Sequence, residues 1–329
     1  MSARYKAFVD MAGYADQHGF SIITLEEHHG VDDGYSPSPL VMAGLIFGRA
    51  QNISVTISAL LTPLHDPLRI AEDIAVLDLA SGGRLTVIAG LGYRPSEYAA
   101  HGKDWANRGA LQEEVIATML NAWTGEPFEY RGTTVRVTPR PFTQPHPPFM
   151  LGGTSKVAAR RAARFGLPML TAKHMPELEA YYYEQCTKAG THGLCMMPGE
   201  DTVMMHVAED PDRAWAELGK YFWHEAEQYA SWQTPDIHSS VHSHAHDIQS
   251  LRDEGIYQVM TPDQLVERLR AQGDAAACNL HPLVGGMPID EGWKSLELYV
   301  EQVLPSFDSE HASVPSYPAA KPENEPENE

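Results

Sequence analysis

The sequence predicts an α/β fold of the TIM (β/α)8 type: a parallel sheet, closed or nearly closed, with helices packed outside it. Three observations carry this. Short apolar runs begin near residues 20, 53, 85, 149, 167, 202 and 277, and they alternate with segments of helical periodicity. Several of those helical segments open and close on local start and stop signals. The 329 residues, 43% hydrophobic and 21% charged, suffice for one barrel of about 250 residues with insertions.

The elements follow in order. Phe8, Met11, Ala12 and Ala15 repeat at helical spacing, and Gly19 supplies a stop before the strand run FSIITL. Ser38 and Pro39 form an N-cap and first-turn proline for a helix over 39–50, which leads into the β-branched run ISVTIS. Asp66 and Pro67 repeat that signal, with Ile70, Ala71, Ile74 and Leu77 as the buried face and SGGR before the strand LTVIA. A helix over about 108–123 precedes a Pro- and Thr-rich excursion, 128–147, expected to be a surface insertion. Further strands are expected at FML, LPMLT (167–171), TVMMHVA (202–208) and ACNL (277–280), with a long loop over about 232–260. Eight strands make such a barrel, whereas this chain supplies seven and opens on a helix, so the first strand is expected to be missing. Residues 1–305 form the barrel domain in this reading. The acidic, Pro-rich tail 306–329 buries too little apolar area to order itself.

Composition excludes several function classes. A net charge of -20 and the lack of a Lys/Arg stripe argue against nucleic acid. Cys186, Cys195 and Cys278 show neither CxxC nor Cys/His zinc spacing, and read as reduced thiols. Without an uninterrupted apolar run of membrane-spanning length or a signal-peptide core, the protein is expected to be soluble and cytoplasmic, with no membrane partner.

In a parallel barrel the chemistry sits at the carboxyl ends of the strands. After SIITL come Glu26, Glu27, His28 and His29, and strand alternation allows only one of the two histidines to face the barrel mouth. An imidazole there relays protons near neutral pH; the competing reading is a surface or core pair. After LTVIA comes GLGYRPSEY, where Gly90 and Gly92 let backbone approach a flat ring or phosphate. Pro95 occupies the position where a GxGxxG dinucleotide turn needs glycine. After FML comes GGTS and a helical run. Gly152 and Gly153 free the backbone, Thr154 and Ser155 carry hydroxyls, and the helix N-terminus offers unpaired N–H groups, which together make a phosphate cradle. The simpler alternative makes Ser155 an N-cap alone. Arg108, opening the 108–123 helix, is a second anion-binding candidate. His238, His242, His244 and His246 invite a metal site, but their polar stretch has no strand to fix ligand geometry and reads better as a surface loop.

Taken together and in order, these pieces resemble the bacterial-luciferase-like, flavin-dependent monooxygenase family over about residues 5–305. LEEHHGVDDGYSPSP, HDPLRIAEDIAVLDLASGGRL, GLGYRPSEYAAHG, GGTSKVAARRAARFGLPML and HPLVGGMPIDEGWKSLELYVEQVLP carry the resemblance. It implies that His28 is the active-site histidine, that Ser58 and Ala59 form a non-proline cis peptide beneath the flavin ring, and that Gly152 to Ser155 bind the flavin phosphate. Arg108 lies one position from a phosphate-binding arginine of the luciferases. It further implies a homodimer through the helices over 39–50 and 67–80, the first exposing Ala43, Gly44 and Gly48. The chain departs from the luminous members at Gly90 and Leu91, where they carry a cysteine and a phosphate-binding arginine, so light emission is not implied.

The resemblance leaves three functions in contention. The leading one is a two-component monooxygenase that receives reduced FMN from a separate flavin reductase and oxidises a small organic substrate with oxygen. A deazaflavin-dependent dehydrogenase moves hydride without oxygen, and related members use that coenzyme with a comparable GxG turn. A non-catalytic flavin-binding subunit is the third, and a metal hydrolase built on the 238–246 histidines stands behind all of them.

Overall fold

The computed structural model describes residues 1–199, 203–232 and 243–307. Helix α1 (Ser2–Gln17) leads into β1 (Ile22–Leu25), whose one hydrogen-bonded strand neighbour among the described residues is β2 (Ser54–Leu61). Between them lies α2 (Pro39–Arg49). The Asp16 carboxylate at the end of α1 accepts the backbone N–H groups of Gln51, Asn52 and Ile53 at 2.9, 2.7 and 2.7 Å, which ties the first helix to the start of β2.

Helix α3 (Pro67–Ser81) begins where its start signal places it: the Asp66 carboxylate accepts the N–H groups of Leu68 and Arg69, each at 3.1 Å, and Gly82 ends it with a φ of 66°. Strand β3 (Leu85–Gly90), α4 (Pro95–Ala100) and α5 (Arg108–Trp123) follow. The excursion after α5 carries a small antiparallel hairpin, β4 (Phe128–Tyr130) with β5 (Thr133–Val135). Then come β6 (Phe149–Gly152), α6 (Lys156–Phe165), β7 (Met169–Leu170), α7 (Pro176–Ala189) and β8 (Cys195–Met196). The second half comprises β9 (Met204–Val207), α8 (Pro211–Trp232), α9 (Ile248–Glu254), β10 (Tyr257–Met260), α10 (Pro262–Gln272) and α11 (Ile289–Leu298).

Six strands pair in parallel in the order β1-β2-β3-β6-β7-β8, with helices between them, which is the βα repeat of a TIM-type fold. Strands β9 and β10 form a separate parallel pair, and Leu280 bridges to Met205. The main core lies between the sheet and its helices: Val55, Ile57 and Leu60 of β2 and Val87 and Ala89 of β3 meet Ile46, Ile74 and Trp123. Trp123 satisfies its buried indole N–H on the Ala71 carbonyl at 3.0 Å. Helix α1 also meets the region of α11, because Arg4 donates to the Gly286 carbonyl at 2.6 Å and Tyr14 meets Trp293 edge-on.

Three sequence expectations change. The run ACNL contributes one bridge instead of a strand, since the 3-10 turn Gly273–Ala275 and Pro282 leave it little room to extend. The expected loop 232–260 instead holds α9, opened by an Asp247–Ser250 capping box, and strand β10. Strand β8 was not anticipated, because CM is too short to carry a periodicity. Cys186 and Cys195 are buried and Cys278 half-buried, all three as free thiols. His238, His242 and the tail from 308 onward lie outside the described residues, among which no group of three His, Cys, Asp or Glu side chains is arranged to hold a metal ion. No described helix is long and apolar enough to cross a membrane.

Candidate active site

The alternation of β1 continues past its end and sorts four polar residues onto two sides. Glu27 and His29 turn one way and meet, His29 Nε2 lying 3.0 Å from Glu27 Oε1. Glu26 and His28 turn the other way, into a shell of aromatic rings.

Glu27 is a hub. It is 1% exposed, yet its carboxylate receives His65 Nε2 at 2.7 Å and the Leu61 N–H at 2.5 Å in addition to His29. Burial alone would raise its pKa, but hydrogen bonds from His29 and His65, the His65 charge and the Leu61 amide outweigh it and hold the carboxyl down at about 2. The same contact raises the pKa of His29, first through its hydrogen bond to Glu27. Glu27 thereby fastens the end of β1 to the end of β2, where the Ser58–Ala59 peptide is cis, as the resemblance implies.

His28 is buried. Its Nε2 lies 3.0 Å from the Tyr229 hydroxyl of α8, Tyr35 stacks on it at 5.6 Å between centroids, and Trp232 approaches to 4.9 Å. Desolvation, reinforced by the Arg94 guanidinium, pushes His28 down to about 4. This overturns the expectation of an imidazole titrating near neutrality. The burial that places His28 in the site also keeps it uncharged at pH 7.

Gly90 ends β3 against the turn of β2: a Cβ there would lie 2.6 Å from the Ala59 Cβ, so no larger residue fits without movement. Gly92 has a φ of 74° and packs beside Leu61 and Tyr98. Arg94, which sequence reasoning missed, donates to the His29 carbonyl at 2.8 Å and to Glu97 Oε1 at 2.9 Å, and lies 4.5 Å from the centre of the Trp232 ring. It locks the β1 and β3 ends to α8.

At the end of β6, Gly153 leaves no room for a side chain, since a Cβ would lie 2.6 Å from that of Ala158 in the first turn of α6. Ser155 accepts the Ala158 N–H at 3.2 Å and is the N-cap of α6, so the simpler of the two sequence readings describes its hydroxyl. Thr154 is half-buried beside it. Arg108 stacks on Trp105 at 3.9 Å and donates to its carbonyl at 3.0 Å. The β6 end and α5 are coupled through Arg161 of α6, which donates to Gln112 Oε1 at 3.0 Å, while Gln112 reaches the Ala89 carbonyl of β3 at 3.3 Å.

A family model for luciferase-like monooxygenases matches residues 1–277. The chain belongs to this family. Among its luciferase-like relatives, the oxygenase component of a flavin-dependent trigonelline monooxygenase from Acinetobacter baylyi is 22% identical over 94% of this chain and 93% of its own. The FMN complex of the oxygenating constituent of 3,6-diketocamphane monooxygenase from Pseudomonas putida superposes with a TM-score of 0.65, at 20% identity over 93% of this chain and 94% of that one. An F420-dependent secondary alcohol dehydrogenase has the same TM-score of 0.65 at 15% identity, covering 92% and 95%. The chain spans about half the length of several other curated relatives that it matches. Of the two solved structures, one holds FMN and the other is F420-dependent.

Proposed function

We propose that this chain is the oxygenase component of a two-component monooxygenase, taking reduced FMN from a separate flavin reductase and oxidising a small organic substrate with molecular oxygen. The observation that carries the reading is the neutral, buried His28 within an aromatic shell at a strand's carboxyl end, beside the glycine-faced contact of Gly90 with Ala59. The relative named as an oxygenase component supports the reductase partnership. A TIM-type barrel that lacks its first strand belongs to the same reading, with the separate β9–β10 pair carrying on the βα repeat.

The residues fit FMN. Gly90 and Gly92 let the end of β3 pack closely on Ala59, Leu61 and Tyr98, and Thr154 and the first backbone amides of α6 offer donors to a phosphate. When bound, reduced flavin supplies the electrons that activate oxygen. The protein excludes water with Tyr35, Tyr229 and Trp232, orients the ring, and moves a proton at His28.

One feature sustains the deazaflavin alternative: by the resemblance Gly90 and Leu91 stand where luminous members carry a cysteine and a phosphate-binding arginine, and Arg94, the next cation along the chain, is bound to Glu97 and the His29 carbonyl. Titration with reduced FMN and reduced F420, followed by oxygen-electrode measurement, separates the two. Tight FMN binding with oxygen consumption supports the monooxygenase. Tight F420 binding without oxygen consumption replaces it with the dehydrogenase.

A further inference from the structure

The side of β1 that holds His28 also holds Glu26, which the proposed chemistry does not use. Tyr35 donates its phenol proton to Glu26 Oε2 at 3.1 Å, the Tyr229 hydroxyl lies 3.0 Å from His28 Nε2, and the Tyr35 and Tyr229 side chains, both packed against the His28 ring, interact with each other. These four side chains run from a carboxyl group to the imidazole with two phenols between them. We propose that Glu26, Tyr35 and Tyr229 form a proton wire whose terminal carboxyl group sets the tautomer of His28.

The line has two self-consistent polarities. With Glu26 ionised, Tyr35 donates to the carboxylate, Tyr229 to Tyr35, and His28 Nε2–H to Tyr229. With Glu26 protonated every bond reverses: the carboxylic acid donates to Tyr35, Tyr35 to Tyr229, and Tyr229 to Nε2, so the imidazole proton sits on Nδ1. The balance of the forward step is simple. As His28 gives its Nδ1 proton to a developing anion, Nε2 takes the Tyr229 proton, Tyr229 takes that of Tyr35, and Tyr35 takes that of Glu26. Glu26 ends as a carboxylate, both tyrosines stay neutral, and His28 exchanges one neutral tautomer for the other. The buried imidazole relays a proton without becoming charged, which its environment opposes.

The surroundings of Glu26 suit a reservoir. Desolvation and the neighbouring Glu225 carboxylate raise it, while His281 and the Tyr35 hydrogen bond pull it down, leaving it at about 7. Glu225 is itself held by the Tyr257 hydroxyl at 2.6 Å and lies 3.4 Å from His281 Nδ1. Glu26 is therefore a positioning residue that acts through two phenols. Its use in turnover rests on the proposed role of His28, whereas the tautomer coupling does not.

The test is NMR of protein labelled with 15N and 13C in histidine, without cofactor, with His28 assigned by its loss in His28→Gln. The expected result is a change from the Nδ1–H tautomer at low pH to the Nε2–H tautomer at high pH, with a midpoint near pH 7. Tyr229→Phe and Glu26→Gln should each abolish the transition, and Glu225→Gln should move its midpoint to lower pH. A transition that survives Glu26→Gln, or one that survives Tyr229→Phe, overturns the wire. So does a single His28 tautomer throughout the range in folded wild-type protein. Failure of the monooxygenase reading would appear instead as no oxygen consumption with reduced FMN, with the NMR transition intact.

Discussion

Replacing Glu27 by Gln probes the joint that holds the β1 and β2 ends together. The carboxyl is 1% exposed and its pKa lies at about 2 against an ordinary value of 4.5. A difference of roughly 2.5 units at 1.36 kcal/mol each corresponds to about 3 kcal/mol of stability. Because the folded-state value is depressed, that stabilisation is fully present above pH 4.5 and is lost as the pH falls through about 2. A glutamine carries no charge and offers the two histidines and the Leu61 amide only one acceptor oxygen. Glu27→Gln is therefore expected to lower the unfolding free energy at pH 7 by about 3 kcal/mol, and the melting temperature by about 4 °C. Urea unfolding followed by tryptophan fluorescence measures the first quantity. Repeated at lower pH, the gap between wild type and variant should narrow to about half by pH 3. A gap under about 0.5 kcal/mol at pH 7, or one that stays constant with pH, would refute the reasoning.

Three further outcomes are expected. His28→Ala should lower single-turnover rates with pre-reduced cofactor by about 100- to 10,000-fold with cofactor affinity nearly retained, and His29→Ala should act much less; equal rates for wild type and His28→Ala would remove His28 from the mechanism. Thr154→Ala should weaken FMN binding more than riboflavin binding, read by fluorescence titration, whereas Ser155→Ala should also cost about 1 kcal/mol of stability because its hydroxyl caps α6; equal weakening of both ligands by Thr154→Ala would move the phosphate site elsewhere. Helices α2 and α3 expose Val41 (63%), Leu45 (51%), Val76 (51%) and Leu79 (42%), an apolar face suited to a second copy of the chain. Light scattering at micromolar concentration should give a dimer for wild type and a monomer for Val41→Glu with Leu45→Glu; a monomeric wild type would sink the homodimer. The face differs from the small-residue surface expected from sequence: Ala43 is fully buried and Gly44 packs against Leu77, leaving Gly48 exposed.

Local information was enough for much of the first half. Helix starts at Pro39, Pro67 and Arg108 and strands at 54, 85 and 149 match within a residue or two, because caps, prolines and periodic apolar faces act over a few residues. Period-two alternation alone placed His28 and His29 on opposite sides, and with them Glu26 and Glu27. Composition and periodicity were silent on who meets whom. Tyr229 stands 201 positions from His28, and Glu27 reaches Leu61 and His65 across 34 and 38 positions. The protonation states follow from those meetings: an isolated imidazole titrates near neutrality, but burial under Tyr229, Tyr35 and Trp232 drives His28 down, while desolvation beside Glu225 raises Glu26. Residue type and order therefore determined the βα repeat and the candidates at its strand ends. The tertiary structure decided their charge, because desolvation and hydrogen bonding depend on neighbours that only folding brings within reach.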